Sequence, residues 1–289
     1  MATKMKLRLA IPKGRMHDGV VGLLQGAGIR LSDTARGYRP HISLPDCEVK
    51  VLKPQNIVEM LQMGSRDLGF SGADWVSELD GRLEELQDTR LDPVRLVAAA
   101  PVELLEEGGL LPERPLVVAS EYERLTRSWI RTREIDASFV HSYGATEVFP
   151  PEDADLIVDN TATGSTLVAN GLHIVDQLME SSTRLYASPE ALRDSGRRQA
   201  IEDFVLLVRS VLEARSRVMV EVNVLPDRLE SVLGVLPCMR EPTVSPLAGG
   251  AGFAVKAAVP SLELPAVIPV LKSRGGTDLV VTRLAQIVP

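Results

Sequence analysis

Apolar residues first gather at Leu7–Ile11, a short run closed by a Pro12-Lys13-Gly14 turn, which predicts a buried strand. Residues 17–25 then carry apolar positions at helical spacing. His41–Leu44 and Val49–Leu52 predict two further strands, and Pro54 opens a helix, since a first turn tolerates proline. Leu68–Ser71 predicts a short buried strand from which Gly72 leads into a helix at Asp74. Val94–Ala100 predicts the strand that closes a first lobe. After Pro101 the alternation resumes, with strands at 116–119, 138–140 and 156–158 and a helix over 121–131. Thr183–Ala187 is apolar enough to return the chain to the first lobe, and Pro189 opens a long helix to about Arg215.

Strands alternating with helices predict a mostly parallel α/β sheet. Two such lobes joined by a double crossing predict a periplasmic-binding-protein-like region with its ligand in the cleft. Lobe I is assigned to 1–100, completed by 185–216, and lobe II to 101–184. From Val218 the pattern changes. VMVEVNV predicts a strand, 226–235 a helix, 243–247 and 253–259 two strands around a Gly-Gly turn, 261–273 a helix and 279–282 a strand. This βαββαβ order is the ferredoxin-like (ACT-like) pattern, and 217–289 reads as a ligand-sensing or assembly module.

Composition narrows the class. A chain of 289 residues exceeds one comfortable core, and 45% hydrophobic with 25% charged residues is ordinary globular usage. No apolar run reaches the roughly 18 residues of a membrane helix, and the N-terminus lacks the apolar stretch of a secretory signal. Two distant cysteines, Cys47 and Cys238, make neither a disulfide framework nor a metal motif, so a reducing cytoplasm is the expected compartment. The net charge of −7 argues against general nucleic-acid binding. Yet residues 1–53 hold ten Lys and Arg against four Asp and Glu, a local site for anions or a solvated charged face.

The richest segment is Ala154–Gly171, ADLIVDNTATGSTLVANG. An apolar strand breaks into a loop of small residues and then opens a helix, which is the outline of a phosphate cradle. Gly164 permits close backbone approach, and Thr161, Thr163, Ser165 and Thr166 offer hydroxyls beside Ala162. Asp159, at the strand end, can accept hydrogen bonds from a sugar diol. An acid for ribose next to donors for phosphate suits a phosphoribosyl group. Ordinary capping explains one such hydroxyl but not four around a glycine. Lys13-Gly14-Arg15 is a second anion candidate, with arginine offering a bidentate fork and lysine a point charge.

DNTATGSTLVANGL resembles the phosphoribosyl-diphosphate loop of the ATP phosphoribosyltransferase family, which opens histidine biosynthesis. LAIPKGRM, DLGFSGADW, SYGATE and EPTVSPL agree with it in order, and the last resembles the extra C-terminal domain of the long form. The resemblance implies that ATP and 5-phosphoribosyl diphosphate condense to N1-(5-phosphoribosyl)-ATP and pyrophosphate. It implies Lys13, Arg15 and Asp159 as catalytic groups, and arginines that reach phosphates at Arg36 and Arg39, where the residues alone equally allow a solvated loop. Lys53 stands where the family often has arginine, and Phe70-Ser71 depart from the usual GITG. Gly72 and Asp74 are placed at substrate, although Asp74 also reads as a helix-start acid. Glu147 would lie near the ribose or the metal, or be a solvated acid. Magnesium is expected on the diphosphate, with its protein ligands unassigned. The C-terminal module would bind histidine as an inhibitor, with Met239 and Thr243 as candidate contacts, in a homo-oligomer between dimer and hexamer. Two other readings fit the residues: a non-catalytic two-lobed sensor, and a phosphoribosyltransferase for another base.

Overall fold

A computed structural model describes residues 6–32 and 37–288. In chain order it contains β1 (Leu7–Pro12), α1 (Met16–Gly26), β2 (Leu31–Ser32), β3 (His41–Ile42), β4 (Cys47–Leu52), α2 (Pro54–Gln62), β5 (Leu68–Gly72), α3 (Ala73–Glu78) and β6 (Glu84–Pro101). There follow β7 (Leu116–Ser120), α4 (Glu123–Thr132), β8 (Ala137–His141), β9 (Leu156–Thr161), α5 (Ser165–Ala169), β10 (Leu172–Ala187) and α6 (Ser195–Ser216). The C-terminal elements are β11 (Arg217–Val224), α7 (Leu229–Leu233), β12 (Thr243–Pro246), β13 (Phe253–Pro260), α8 (Leu264–Ser273) and β14 (Thr277–Arg283). The chain divides into two compact units, Met1–Gly22 with Arg30–Glu202, and Leu23–Ile29 with Asp203–Pro289.

The first unit is built on one eight-stranded sheet in the order β4-β1-β5-β10-β6-β9-β7-β8. β4, β1 and β5 run parallel to one another, as do β9, β7 and β8. Between the two triplets lie β10 and β6, long antiparallel strands that carry the chain across and back. Helices on both faces explain the continuous apolar runs. Leu96, Ala98 and Ala100 of β6 face a core with Tyr122 and Trp129, while Val97 and Ala99 face another with Ile157 and Leu167. β5 is buried at all five positions. A Cβ on Gly69 would stand 2.7 Å from Ile57 Cγ2, so glycine lets α2 lie close on the sheet.

The two crossing strands are much longer than Val94–Ala100 and Thr183–Ala187 predicted. The extra length of β6 is mostly polar and that of β10 mixes polar and apolar residues, and five register shifts along the pairing of the two strands break the alternation that marks a strand. The C-terminal unit holds an antiparallel sheet in the order β12-β13-β11-β14, as the ferredoxin-like pattern requires. Strict alternation along β11 buries Val218, Val220, Val222 and Val224 with Val255, Val259, Val232, Val267 and Leu271. The helix expected over 226–235 is a 3-10 turn at Pro226–Arg228 followed by the five-residue α7.

Candidate active site

In open α/β sheets ligands gather beyond the carboxyl ends of parallel strands. β1, β4 and β5 end at Pro12, Leu52 and Gly72, ahead of Lys13–Arg15, Lys53 and Asp74. β7, β8 and β9 end at Ser120, His141 and Thr161, ahead of Glu121–Tyr122, Ser142–Glu147 and Ala162–Thr166. The two sets of ends face each other, because the Tyr122 hydroxyl donates to Asp74 Oδ2 at 2.7 Å.

The loop after β9 is held by its own side chains. Gly164 adopts φ +83°, ψ −2°, a left-handed conformation that favours glycine, and precedes α5. Its N–H donates to Thr161 Oγ1 at 2.9 Å, and Thr163 and Ser165 share a hydroxyl hydrogen bond of 2.9 Å. Thr161 is buried, while Thr163, Ser165 and Thr166 are exposed at the rim. With only five residues α5 has a slight dipole, so the loop's donors are chiefly hydroxyls and N–H groups.

A cavity of about 360 Å³ opens over this loop, lined by Arg15, Val94, Glu147, Asp159, Asn160, Thr161, Ala162, Thr163, Ser165, Thr166 and Leu167. A second, of about 390 Å³, shares Val94 and Ala162 as walls and reaches Asp88, Arg95, Glu180, Ser181 and Arg184. Asp159 is pushed up to about 7. Burial is the main cause, and the charges of Glu147 and Glu121 add to it against the Asn160 N–H, which donates to Oδ1 at 2.7 Å.

The remaining candidates are placed as follows. Arg15 reaches the Asp92 carbonyl at 3.4 Å besides lining the cavity, while Lys13 is exposed and not among its walls. Lys53 is exposed at the start of α2. Arg39 is exposed near Lys50, whose ammonium is lowered chiefly by Arg66, then by burial and Arg39. Arg36 lies outside the described residues. Asp74 is not a wall of the cavity. It is buried, and its carboxylate accepts from Ser181 Oγ at 2.7 Å as well as from Tyr122. Met239 donates its N–H to the Ala258 carbonyl, and Thr243 is exposed opposite Lys256. Among the described residues, no group of three or more His, Cys, Asp or Glu is disposed to hold a metal ion.

Gly72 matters for its lack of a side chain. A Cβ there would overlap Asp74 Oδ1, which Ser181 keeps from moving away. Gly72→Ala should therefore lower stability by about 1–3 kcal/mol, measurable by urea unfolding. An unchanged midpoint would mean that Asp74 has room to move.

A profile described as ATP phosphoribosyltransferase matches residues 53–210, and one described as the C-terminal domain of the same enzyme matches 214–286. The chain belongs to the ATP phosphoribosyltransferase family. With the second domain it has the long form, and membership makes it a phosphoribosyl-transferring enzyme of histidine biosynthesis, acting on ATP and phosphoribosyl diphosphate. The ATP phosphoribosyltransferase of Pelotomaculum thermopropionicum is 34% identical over 292 residues, covering 99% of this chain and 100% of that one. That of Desulforudis audaxviator is likewise 34% identical, with the same coverage. A chain of the HisG:HisZ ATP phosphoribosyl transferase complex from Thermotoga maritima superposes with a TM-score of 0.63 at 26% identity, over 72% of this chain and 98% of its own. Family members generally need a metal ion. No helix among the described residues is long and apolar enough to cross a membrane.

Sequence reasoning missed Tyr122, Asn160 and Ser181. Asn160 stands inside the DNT motif and went unassigned, while Tyr122 and Ser181 sit in stretches with no motif at all.

Proposed function

We propose that the cavity over the Thr161–Thr166 loop takes 5-phosphoribosyl diphosphate, and that N1 of the ATP adenine attacks C1 of its ribose. Pyrophosphate leaves and N1-(5-phosphoribosyl)-ATP forms. The observation that carries the reading is the convergence of acceptors from Asp159 and Asn160, loop hydroxyls and Arg15 on one cavity. The carboxylate suits ribose hydroxyls, and the hydroxyl-rich loop suits the 5-phosphate. Adenine N1 already has a lone pair, so the chain needs no strong base. Its task is to orient the reactants and stabilise the departing charge. Lys13 and Arg15 stand on the turn after β1 to meet phosphate charge, and Arg36, Arg39 and Lys53 are proposed as further cations for the substrate phosphates.

Magnesium fits this donor set. Glu147 and Asp159 are hard oxygen ligands on the same cavity, and a cation there would offset both the burial that chiefly raises Asp159 and the charge of Glu147 that adds to it. The metal would neutralise the diphosphate, which supplies most of its ligands. Residues 217–289 are assigned as the histidine-sensing domain, near Met239 and Thr243, in a cytoplasmic homo-oligomer.

Purified protein should form an adduct absorbing to the red of ATP only when ATP, phosphoribosyl diphosphate and magnesium are all present. Histidine should inhibit without competing for phosphoribosyl diphosphate, with a coupling of about 1–3 kcal/mol. Folded protein that forms no adduct would sink the reading. Competitive inhibition would move histidine to the cavity itself.

A further inference from the structure

We propose that Tyr122 is a positioning residue for ribose recognition, acting through a buried relay Ser181–Asp74–Tyr122–Asn160 that turns Asn160 into an acceptor for a sugar hydroxyl. The inference rests on the functional reading above and deepens it.

The relay's direction follows from its chemistry. The Tyr122 hydroxyl donates its single proton to Asp74 Oδ2 at 2.7 Å. That leaves the phenolic oxygen as an acceptor, and Asn160 Nδ2 donates to it at 3.0 Å. The same Nδ2 lies 3.4 Å from Asp159 Oδ1. Both amide protons are thereby directed to Tyr122 and Asp159, so what Asn160 can offer the cavity is its oxygen. An acceptor beside the Asp159 carboxylate selects a hydroxyl donor and repels a phosphate oxygen. The cavity is sorted, with acceptors at the strand end for ribose and hydroxyl donors in the loop for phosphate.

The relay is also rigid. Tyr122 is fully buried, and its ring stacks on Trp75 with centroids 4.4 Å apart. Asp74 is fixed by Ser181, whose hydroxyl also accepts the Asp74 N–H at 3.1 Å. The helices that carry these residues cap each other. Glu78 of α3 accepts the N–H groups of Arg124 and Leu125 at 2.8 and 3.0 Å, and Arg124 of α4 donates back to the Ser77 and Glu78 carbonyls. Asn160 therefore takes its orientation from the clamp between α3 and α4 rather than from the loop.

Tyr122→Phe keeps the ring and its stacking but removes the hydroxyl. It should raise KM for phosphoribosyl diphosphate about tenfold and leave KM for ATP within about twofold, in a protein whose circular dichroism matches wild type. Asn160→Leu should have the same signature, and the double variant should be no worse than Asn160→Leu alone. Loss of stability with an unchanged KM for phosphoribosyl diphosphate would reduce the relay to core packing and overturn the proposal, as would full additivity. Should Tyr122→Phe not fold, Asn160→Leu decides: an unchanged KM for phosphoribosyl diphosphate overturns the proposal. Wild-type protein that forms no adduct in the same assay overturns the functional reading, and this inference with it.

Discussion

Asp159→Asn should give a protein that melts higher than wild type at pH 8 and works more slowly. The carboxyl's ordinary value lies near 4, and in the folded protein it is raised to about 7 by burial and by the charges of Glu147 and Glu121. The folded state therefore holds a proton that the unfolded state has already released. Below about pH 4 both states are protonated and the group contributes nothing. Between about pH 4 and 7 only the unfolded state releases this proton, so stability falls with rising pH, and above about 7, where the folded protein too carries a buried, crowded carboxylate, the loss is complete. Discounted for its partial exposure, the penalty at pH 8 is about 1–3 kcal/mol. Asparagine removes it while keeping the shape. The variant should gain several degrees in Tm at pH 8 and almost nothing at pH 4. In catalysis it loses a charged acceptor for ribose hydroxyls, which is worth about 2 kcal/mol or roughly thirtyfold in kcat/KM for phosphoribosyl diphosphate. Parallel melting curves for the two proteins across this pH range would show that Asp159 is not strained by its neighbours. The opposed signs identify a site that gives up stability for function.

Why Asp159 was legible in the sequence and Tyr122 was not is a matter of pattern. Asp159 follows a run of three apolar residues and precedes a loop of small hydroxylic residues, so its place at a strand end and its chemistry are both local. The same holds for the turn at Lys13–Arg15 and for the alternation of β11. Tyr122 acts through Asp74, 48 residues away in sequence, and through Asn160, 38 away. Nothing in Ala119–Arg124 announces those contacts, because a buried tyrosine reads as core. Asp74 shows the same limit from the other side. Its position after Gly72 suggests a residue offered to substrate, but Ser181 arrives from β10 and Tyr122 from beyond β7 to occupy both its oxygens. The long crossing strands are legible in the sequence only in part, since hydrophobic alternation reports burial: the outer part of β6 is mostly charged and polar, and register shifts break the alternation along β10.

Gly164→Val should abolish binding of phosphoribosyl diphosphate while costing the protein little global stability. The sequence suggests that a side chain here would simply block the phosphate. The geometry supplies a different cause. An added Cβ would meet only Ile174 Cδ1 at 3.8 Å, ordinary contact, so space on the protein side is available. What valine cannot accept is φ +83°, because a β-branched residue is strained in the left-handed region by about 1–2 kcal/mol or more. The loop escapes by turning residue 164 back to negative φ. That breaks the Gly164 N–H bond to Thr161 Oγ1 and disturbs the Gly164 carbonyl that accepts the Val168 N–H at the start of α5. The strain is thus relieved locally, in a rim segment, and Tm should fall by only a few degrees. The donors for the 5-phosphate lose their arrangement, and affinity for phosphoribosyl diphosphate should fall at least about a hundredfold. Gly164→Ala carries the same backbone conflict without the branch and should fall between the two. Calorimetric titration of each variant with magnesium phosphoribosyl diphosphate, beside its thermal melt, tests this order. Wild-type affinity in Gly164→Val would show that the left-handed residue plays no part in holding the ligand, and a collapse of Tm in both variants would place Gly164 in the scaffold instead of the site.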